Sequence, residues 1–280
     1  MKGGMLVATN LAKAWAVAIF LCGVLGAIGW ELGGYRAGSI SLFCGLLIAG
    51  ATYWYADRAI MGMVQARDLP LAEAPAIHSK LEGIAARARV VKPRLYLVDT
   101  GYPCVLSAGR GPTSSAIAVS SGLASLLRPA ELEGVLAHEI AHIRSRDVLV
   151  QSISVVIASA LVEVTRIGGW FERALLFVLG PFAAAVVHLL LSRRREFAAD
   201  RAAAALCDSP HSLADALVSL EQAGELVSFR GSPATEPLYI VNPFDEEGLA
   251  ALFVTHPPIG DRVSRLRDLD PAWRERLRAA

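Results

Sequence analysis

Two histidines four positions apart flank a glutamate in the run His138-Glu139-Ile140-Ala141-His142. On an α-helix, positions i and i+4 share a face one turn apart, so both imidazoles can converge on one metal ion. Glu139, beside the first histidine, is placed to act as general base toward a water at that metal. Zinc brings the pKa of such a water to about 7, which makes hydroxide usable at neutral pH. Alone the pattern is only suggestive. By average composition it arises by chance in on the order of one chain per hundred of this length. Two ordinary histidines on a surface or core helix would give the same string.

A hydrolytic zinc takes three protein ligands and keeps one position open. Downstream, Glu196-Phe197-Ala198-Ala199-Asp200 again places two side chains at i and i+4. Glu196 can bind the metal, while Asp200 can accept a hydrogen bond from a ligand histidine and fix its ring. Taken alone, the plainer reading is a solvated acidic face beside Arg193-Arg194-Arg195. Among the other histidines, His78 and His211 read as surface helix residues and His188 as a satisfied, buried one. His256 stands in Thr255-His256-Pro257-Pro258, ahead of Asp261-Arg262. The stiff Pro-Pro could bring that loop to the site, where His256 or Arg262 could stabilise an oxyanion.

These groups are positioned by a very apolar chain. Of 280 residues 54% are hydrophobic and 19% charged, and the apolar residues fall in runs rather than being dispersed. The first run, Ala14 to Trp30, and the second, Ala37 to Tyr55, are near the length that spans a bilayer, with Trp and Tyr at their ends. The short link from Glu31 to Arg36 makes them a helical hairpin. A signal peptide is the alternative for the first run, but no small-x-small cleavage site stands out before Trp30, and a retained anchor fits better. The third run, Val148 to Ile167, and the fourth, Ala174 to Leu191, surround a Gly-Gly-Trp link. They read either as a second spanning pair or as a hairpin buried in the soluble part. Either way the ends of the pair meet, which closes the long gap between His142 and Glu196.

Asp57 to Asp147 and Glu196 to Ala280 have soluble character. Ile77, Leu81, Ile84 and Ala88 show helical spacing within Ala76 to Val90. Strands are expected at Arg94 to Val98, Cys104 to Ala108 and Ala116 to Ser120, the last two around a Gly-Arg-Gly-Pro turn. Pro129 sits at the first turn of the helix that carries His138 and His142, with Glu131 and Glu133 near its positive end. Ser209-Pro210 starts another helix, Ser228 to Pro243 is loop-like, and Pro258 to Leu269 reads as a short basic helix. Lys2, Lys13, Arg58, Arg67 and Arg193 to Arg195 flank the apolar runs, so the positive-inside rule puts both termini and both soluble segments in the cytoplasm. A net charge of +1 suggests no polyanion partner, and no nucleic acid. Cys22, Cys44, Cys104 and Cys207 show no metal or disulfide spacing.

Together these residues resemble the membrane-bound, HtpX-like zinc metalloproteases of the M48 peptidase family. The resemblance rests on Leu132-Glu133-Gly134-Val135-Leu136-Ala137 before the His138 to His142 run, on Glu196 to Asp200, and on Thr255 to Pro258 with Arg262. It covers nearly the whole chain. It implies an α+β, mainly helical chain: a zincin-like (gluzincin) domain with a small β-sheet, plus four transmembrane helices. Residues 1–56 would form the first hairpin (14–30 and 37–55). Residues 57–147 and 193–280 would form the cytoplasmic protease domain, with 148–192 inserted between ligands as a second hairpin. One zinc ion per chain would be held by His138, His142 and Glu196, with Glu139 as base and Asp200 behind a ligand. His256 and Arg262 match positions associated with substrate or transition-state contact.

The resemblance further implies an endopeptidase of the bacterial cytoplasmic membrane, its active site facing the cytoplasm, that cleaves misfolded membrane proteins in quality control and stress response. Its partners would be protein or peptide substrates and the lipid bilayer. The substrate backbone is expected beside an edge strand, Ala116 to Ser120. One departure stands out: Cys104-Val105-Leu106 replaces the family's Asn-Ala-Phe stretch, which puts substrate preference in question. Two other readings stay open: an inactive membrane scaffold, and a zinc hydrolase of non-protein amides or lipids.

Overall fold

In a computed structural model of the protein, all residues are described except 1, 168–171, 208, 228, 230, 245–247, 271 and 273–280; for 2–9, 164–167, 172–175 and 249 only the backbone is described. The expected Gly-Gly-Trp link and two positions of the loop beginning at Ser228 thus lie outside the described residues.

Helix α1 (Lys2–Met63) is two arms joined at Gly33 and Gly34, whose dihedrals are not helical. Gly34 has φ +68°, open to glycine at little steric cost. The arms then pack closely: a Cβ on Gly29 would lie 2.3 Å from Ser41 Oγ and 2.7 Å from the Ala37 carbonyl oxygen. Large apolar side chains such as Ile19, Phe20, Phe43 and Leu47 stay exposed on the outside. Within α1, Asn10–Met63 is the helix among the described residues long and apolar enough by itself to cross a membrane.

Four strands form one mixed sheet in the order β1-β2-β4-β3. Strand β1 (Arg67–Asp68) pairs antiparallel with β2 (Arg94–Val98). Strand β2 runs parallel to β4 (Ser114–Ser120), which pairs antiparallel with β3 (Val105–Gly111). The turn between β3 and β4 is tighter than expected and centres on Pro112 and Thr113. One expectation is corrected: Ala116 to Ser120 lies in β4, which is interior because both its sides are paired. The edge near the metal helix belongs to β3. Sequence period cannot separate the two, because β3 and β4 are both buried and nearly continuous in small and apolar residues.

The sheet is covered on both faces, as the period-2 alternation requires. Val105, Ile117 and Val119 face helices α2 (Pro75–Ala88), α4 (Pro129–Ser145) and α8 (His211–Leu226). Leu106, Ala108, Ala116 and Ala118 face the end of α1 and helix α5 (Asp147–Ile167). Helix α3 (Ser121–Leu126) leads into α4. The fourth apolar run forms α6 (Glu172–Leu190), which packs along α5. Among the described residues, Pro129–Ser145 with Asp147–Glu163, bent by 89°, and Leu176–Leu190 with Arg194–Leu206, bent by 47°, are long and apolar enough to span as pairs. The first half of α5 is buried against β3 and the segment after Ser232.

The chain ends with α7 (Arg194–Leu206), α8, a 3-10 helix at Pro233–Leu238, α9 (Gly248–Ala251) and α10 (Ile259–Arg267). The 3-10 helix is a second correction. Much of the expected loop from Ser228 to Pro243 is buried structure, because Ala234, Thr235, Glu236, Pro237 and Leu238 all pack inward.

Candidate metal centre

Helix α4 begins at Pro129, and Glu131 Oε2 accepts from the Arg128 N–H at 2.8 Å, closing its first turn. Its middle is enclosed: Gly134 through Ile143 are all buried. At Gly134 a Cβ would stand 2.7 Å from the Leu213 backbone nitrogen, so glycine there lets α8 cross close behind the metal helix. Arg146 ends α4 in the left-handed region at φ +60°. The 89° bend that follows returns Asp147, the first residue of α5, to the underside of His142.

His138 and His142 put their Nε2 atoms 3.1 Å apart. From α7, Glu196 Oε2 lies 3.4 Å from His138 Nε2, and Oε1 lies 3.5 Å from His142 Nε2. A tetrahedral zinc with Zn–N and Zn–O near 2.05 Å holds neighbouring ligand atoms about 3.3 Å apart. The three side chains therefore fit one zinc-sized ion. Both Glu196 carboxylate oxygens are buried without a hydrogen-bond partner; Arg195 at 3.3 Å and Arg262 at 3.7 Å offset the charge, and the oxygens stay open to a metal. Ala199 and Ala203 are buried on the face of α7 that carries Glu196 and Asp200, and small side chains let α7 approach α4.

Each histidine has a carboxylate at its other nitrogen. Asp200 Oδ1 is 2.9 Å from His138 Nδ1, and Asp147 Oδ2 is 3.4 Å from His142 Nδ1. Asp200 in turn accepts from Arg262 on α10, Nε to Oδ2 at 2.9 Å and Nη2 to Oδ1 at 2.7 Å. Burial opposes ionisation of Asp200, but Arg262 and His138 outweigh it and hold the carboxyl down at about 2. Burial likewise disfavours charge on His142, yet Glu196 and Asp147 push its pKa up to about 9. Glu196, also buried, is held well below the usual carboxylate range by His256, Arg195 and His142.

The site residues expected from sequence are brought together. Glu139 is buried and lines the same cavity as both histidines, Glu196 and His256. His256 Nδ1 is 3.3 Å from Glu196 Oε2. Arg262 is fully buried; Nη1 donates to the Ile240 carbonyl at 2.7 Å and lies 3.7 Å from Glu196 Oε2. Three histidines behave otherwise than or beyond their reading. His188 is exposed and reaches the Leu252 carbonyl at 2.8 Å. His78 is half-buried against the Leu69 carbonyl, and His211 pairs with Asp270.

Several participants had no signal in the sequence. Asp147 reads as an ordinary acidic residue at a helix start. Arg195 reads as one of three interfacial arginines, yet it turns inward, 3.3 Å from Glu196 Oε1, and donates to Gln151 Oε1 at 2.9 Å. Glu236 and Pro237 lie in the stretch read as loop; Pro237 lines the cavity, and the Glu236 carboxylate accepts from the Thr255 N–H beside His256.

Comparison with known proteins shows the family of the chain. The model of "Peptidase family M48" matches residues 71–270. A "Protease HtpX homolog" of Persephonella marina is 37% identical over 275 residues, covering 90% of this chain and 96% of that protein. One of Pyrococcus abyssi is 39% identical over 267 residues, covering 89% and 92%. The crystal structure of S. mikatae Ste24p aligns with a TM-score of 0.49 at 16% identity, over 94% of this chain and 66% of that one.

Proposed function

Because the chain belongs to peptidase family M48 and is a membrane metallopeptidase, we propose that it is a zinc endopeptidase whose metal is held by His138, His142 and Glu196 in a gluzincin-type site. The observation that carries this is the convergence of those three side chains within 3.1–3.5 Å of one another. A zinc ion there would supply Lewis acidity toward a scissile carbonyl.

The chain's own groups divide the remaining work. Asp200 and Asp147 hold the Nδ1 protons of His138 and His142, which leaves each Nε2 lone pair facing the metal position. Glu139 takes the proton from the attacking water and passes it to the leaving amine. His256 and Arg262 donate to the oxygen that gains charge as the carbonyl becomes tetrahedral. Arg262 does so only once its Nη1 is released from the Ile240 carbonyl.

The membrane reading goes further on charge and hydropathy. Residues 1–56 anchor the chain as a hairpin, and α5 and α6 bring the ligand-bearing helices together at the membrane face. Flanking arginines and lysines favour a cytoplasmic active site. Misfolded membrane proteins are the substrates this placement suits.

The test is metal content and proteolysis measured together. Glu139→Gln should retain one zinc per chain and leave unfolded casein intact, and Glu196→Ala should lose the metal. Full cleavage by Glu139→Gln, or equal zinc in wild type and Glu196→Ala, would remove the assignment.

A further inference from the structure

The metal site is covered. His138, Glu139, His142 and Glu196 are each no more than 3% exposed, and Pro237, Leu238, Tyr239 and Ile240 line the space between them. This segment is pinned at its carbonyls. Pro237 O accepts from Gln151 Nε2 at 2.5 Å and from Arg195 Nη2 at 3.3 Å, and Ile240 O accepts from Arg262 Nη1 at 2.7 Å. The Glu236 carboxylate, one residue upstream, accepts from the Thr255 N–H at 3.2 Å and from its Oγ1 at 2.9 Å. The same two arginines, Arg195 and Arg262, lie 3.3 and 3.7 Å from Glu196.

Tyr239 stands as the antiparallel partner of Leu106 on the outer edge of β3. An unpaired sheet edge is where an extended polypeptide adds by backbone hydrogen bonding. Beyond Tyr239 lies a second, larger cavity of about 940 Å³, lined by Cys104, Leu106, Val156, Phe229 and Thr235 among others. Tyr239 borders both spaces and is the wall between them. Its ring is steadied by Phe229 at 5.1 Å and Phe244 at 6.3 Å.

We propose that Pro237–Ile240 is a displaceable strap: an extended, unfolded polypeptide enters the groove beside β3, replaces Tyr239 as the partner of Leu106, and so opens the metal site. The inference rests on the endopeptidase reading above and adds its route of entry and its restraint. The strap meets β3 at one isolated bridge, whereas an incoming strand can pair on both sides of Leu106, at Val105 and Ser107, up to the point where Ser152 Oγ already holds the Gly109 N–H at 3.0 Å. The exchange therefore gains backbone hydrogen bonds. Strap release also frees Arg262 Nη1 and Arg195 Nη2 from carbonyls, leaving two guanidinium groups beside the reacting position. The order matters: substrate binding itself completes the site, so a folded protein without a free extended segment is not cut.

The experiment uses the full chain in detergent with zinc. Leu106→Cys and Tyr239→Cys are introduced together in a Cys104→Ala background, which removes the neighbouring thiol. Antiparallel partners have Cα atoms about 4.5–5.5 Å apart, within disulfide reach. Oxidation, verified by mass spectrometry, should lower cleavage of unfolded casein at least about tenfold, with recovery on adding dithiothreitol. Each single cysteine variant should ignore the oxidant. A verified disulfide that leaves the rate unchanged overturns the strap.

A second measurement does not depend on turnover. In zinc-loaded Glu139→Gln carrying Tyr239→Cys, maleimide labelling of the peptide containing position 239 should speed up when carboxymethylated casein is added. Labelling that stays at its starting rate overturns displacement. Zinc-loaded protein that never cleaves in the reduced state would instead count against the endopeptidase reading, and the labelling result would still decide the strap.

Discussion

Asn10 Nδ2 donates to Asp147 Oδ1 at 2.5 Å across 137 positions of the chain. Asp147 Oδ2 in turn faces His142 Nδ1 and accepts from Ser145 Oγ at 2.8 Å. The first arm of α1 is thereby tied, through one carboxylate, to a candidate metal ligand.

This relay sets the first prediction. Asp147→Asn should weaken zinc binding by about 10- to 100-fold, the usual cost of losing a carboxylate behind a ligand histidine. Asn10→Ala should weaken it less, because Ser145 still holds the carboxylate. Chelator competition measures both. Wild-type affinity in Asp147→Asn would mean that His142 is oriented by packing alone.

Metal binding should depend on pH through His142. In the metal-free protein its pKa is raised from 6.5 to about 9. Its charged form therefore adds stability fully below 6.5, and that contribution is lost as pH rises through 9. A metal must displace this proton. Apparent zinc affinity should climb about tenfold per pH unit below 9. Competition titrations from pH 6 to 9 would show the slope, and a flat profile would refute the coupling.

The ion pair between Arg262 and Asp200 should dominate acid sensitivity of the metal-free fold. Asp200 is lowered from 3.8 to about 2. The sign is the reverse of His142: its stabilisation is present above 3.8 and is lost as pH falls through 2. The shift corresponds to about 2 kcal/mol. Arg262→Met leaves Asp200 buried and unpaired and should cost about 3–5 kcal/mol. Adding Asp200→Asn should recover part of that loss in denaturant unfolding. A double variant no more stable than Arg262→Met would show that the pair is not the cause.

Gly134 should tolerate no side chain. A Cβ would meet the Leu213 nitrogen at 2.7 Å and its Cα at 2.9 Å, both backbone atoms that cannot swing aside. Gly134→Val should lower stability by about 1–3 kcal/mol as α8 is pushed off α4. Thermal unfolding in detergent reads this directly, and an unchanged midpoint would mean that α8 moves freely.

Much of the site was legible because helical period is a local property. His138 with His142, and Glu196 with Asp200, share faces by spacing alone, and apolar runs marked the helices that bring the two motifs together. Paired Gly33 and Gly34 allowed α1 to double back where the charged link had suggested it would. Other features depend on contacts between distant residues and leave no periodic trace. Strand order put β4 inside and β3 at the edge, since two buried strands of the same period look alike until their partners are known. Asp147, Arg195 and Glu236 took their places only when burial removed water and left them to find partners. The sequence by itself determined which residues could hold a metal; the packing of Pro237–Ile240 over them decided that the site is covered, because a short segment without apolar period shows its position only through the groups it buries.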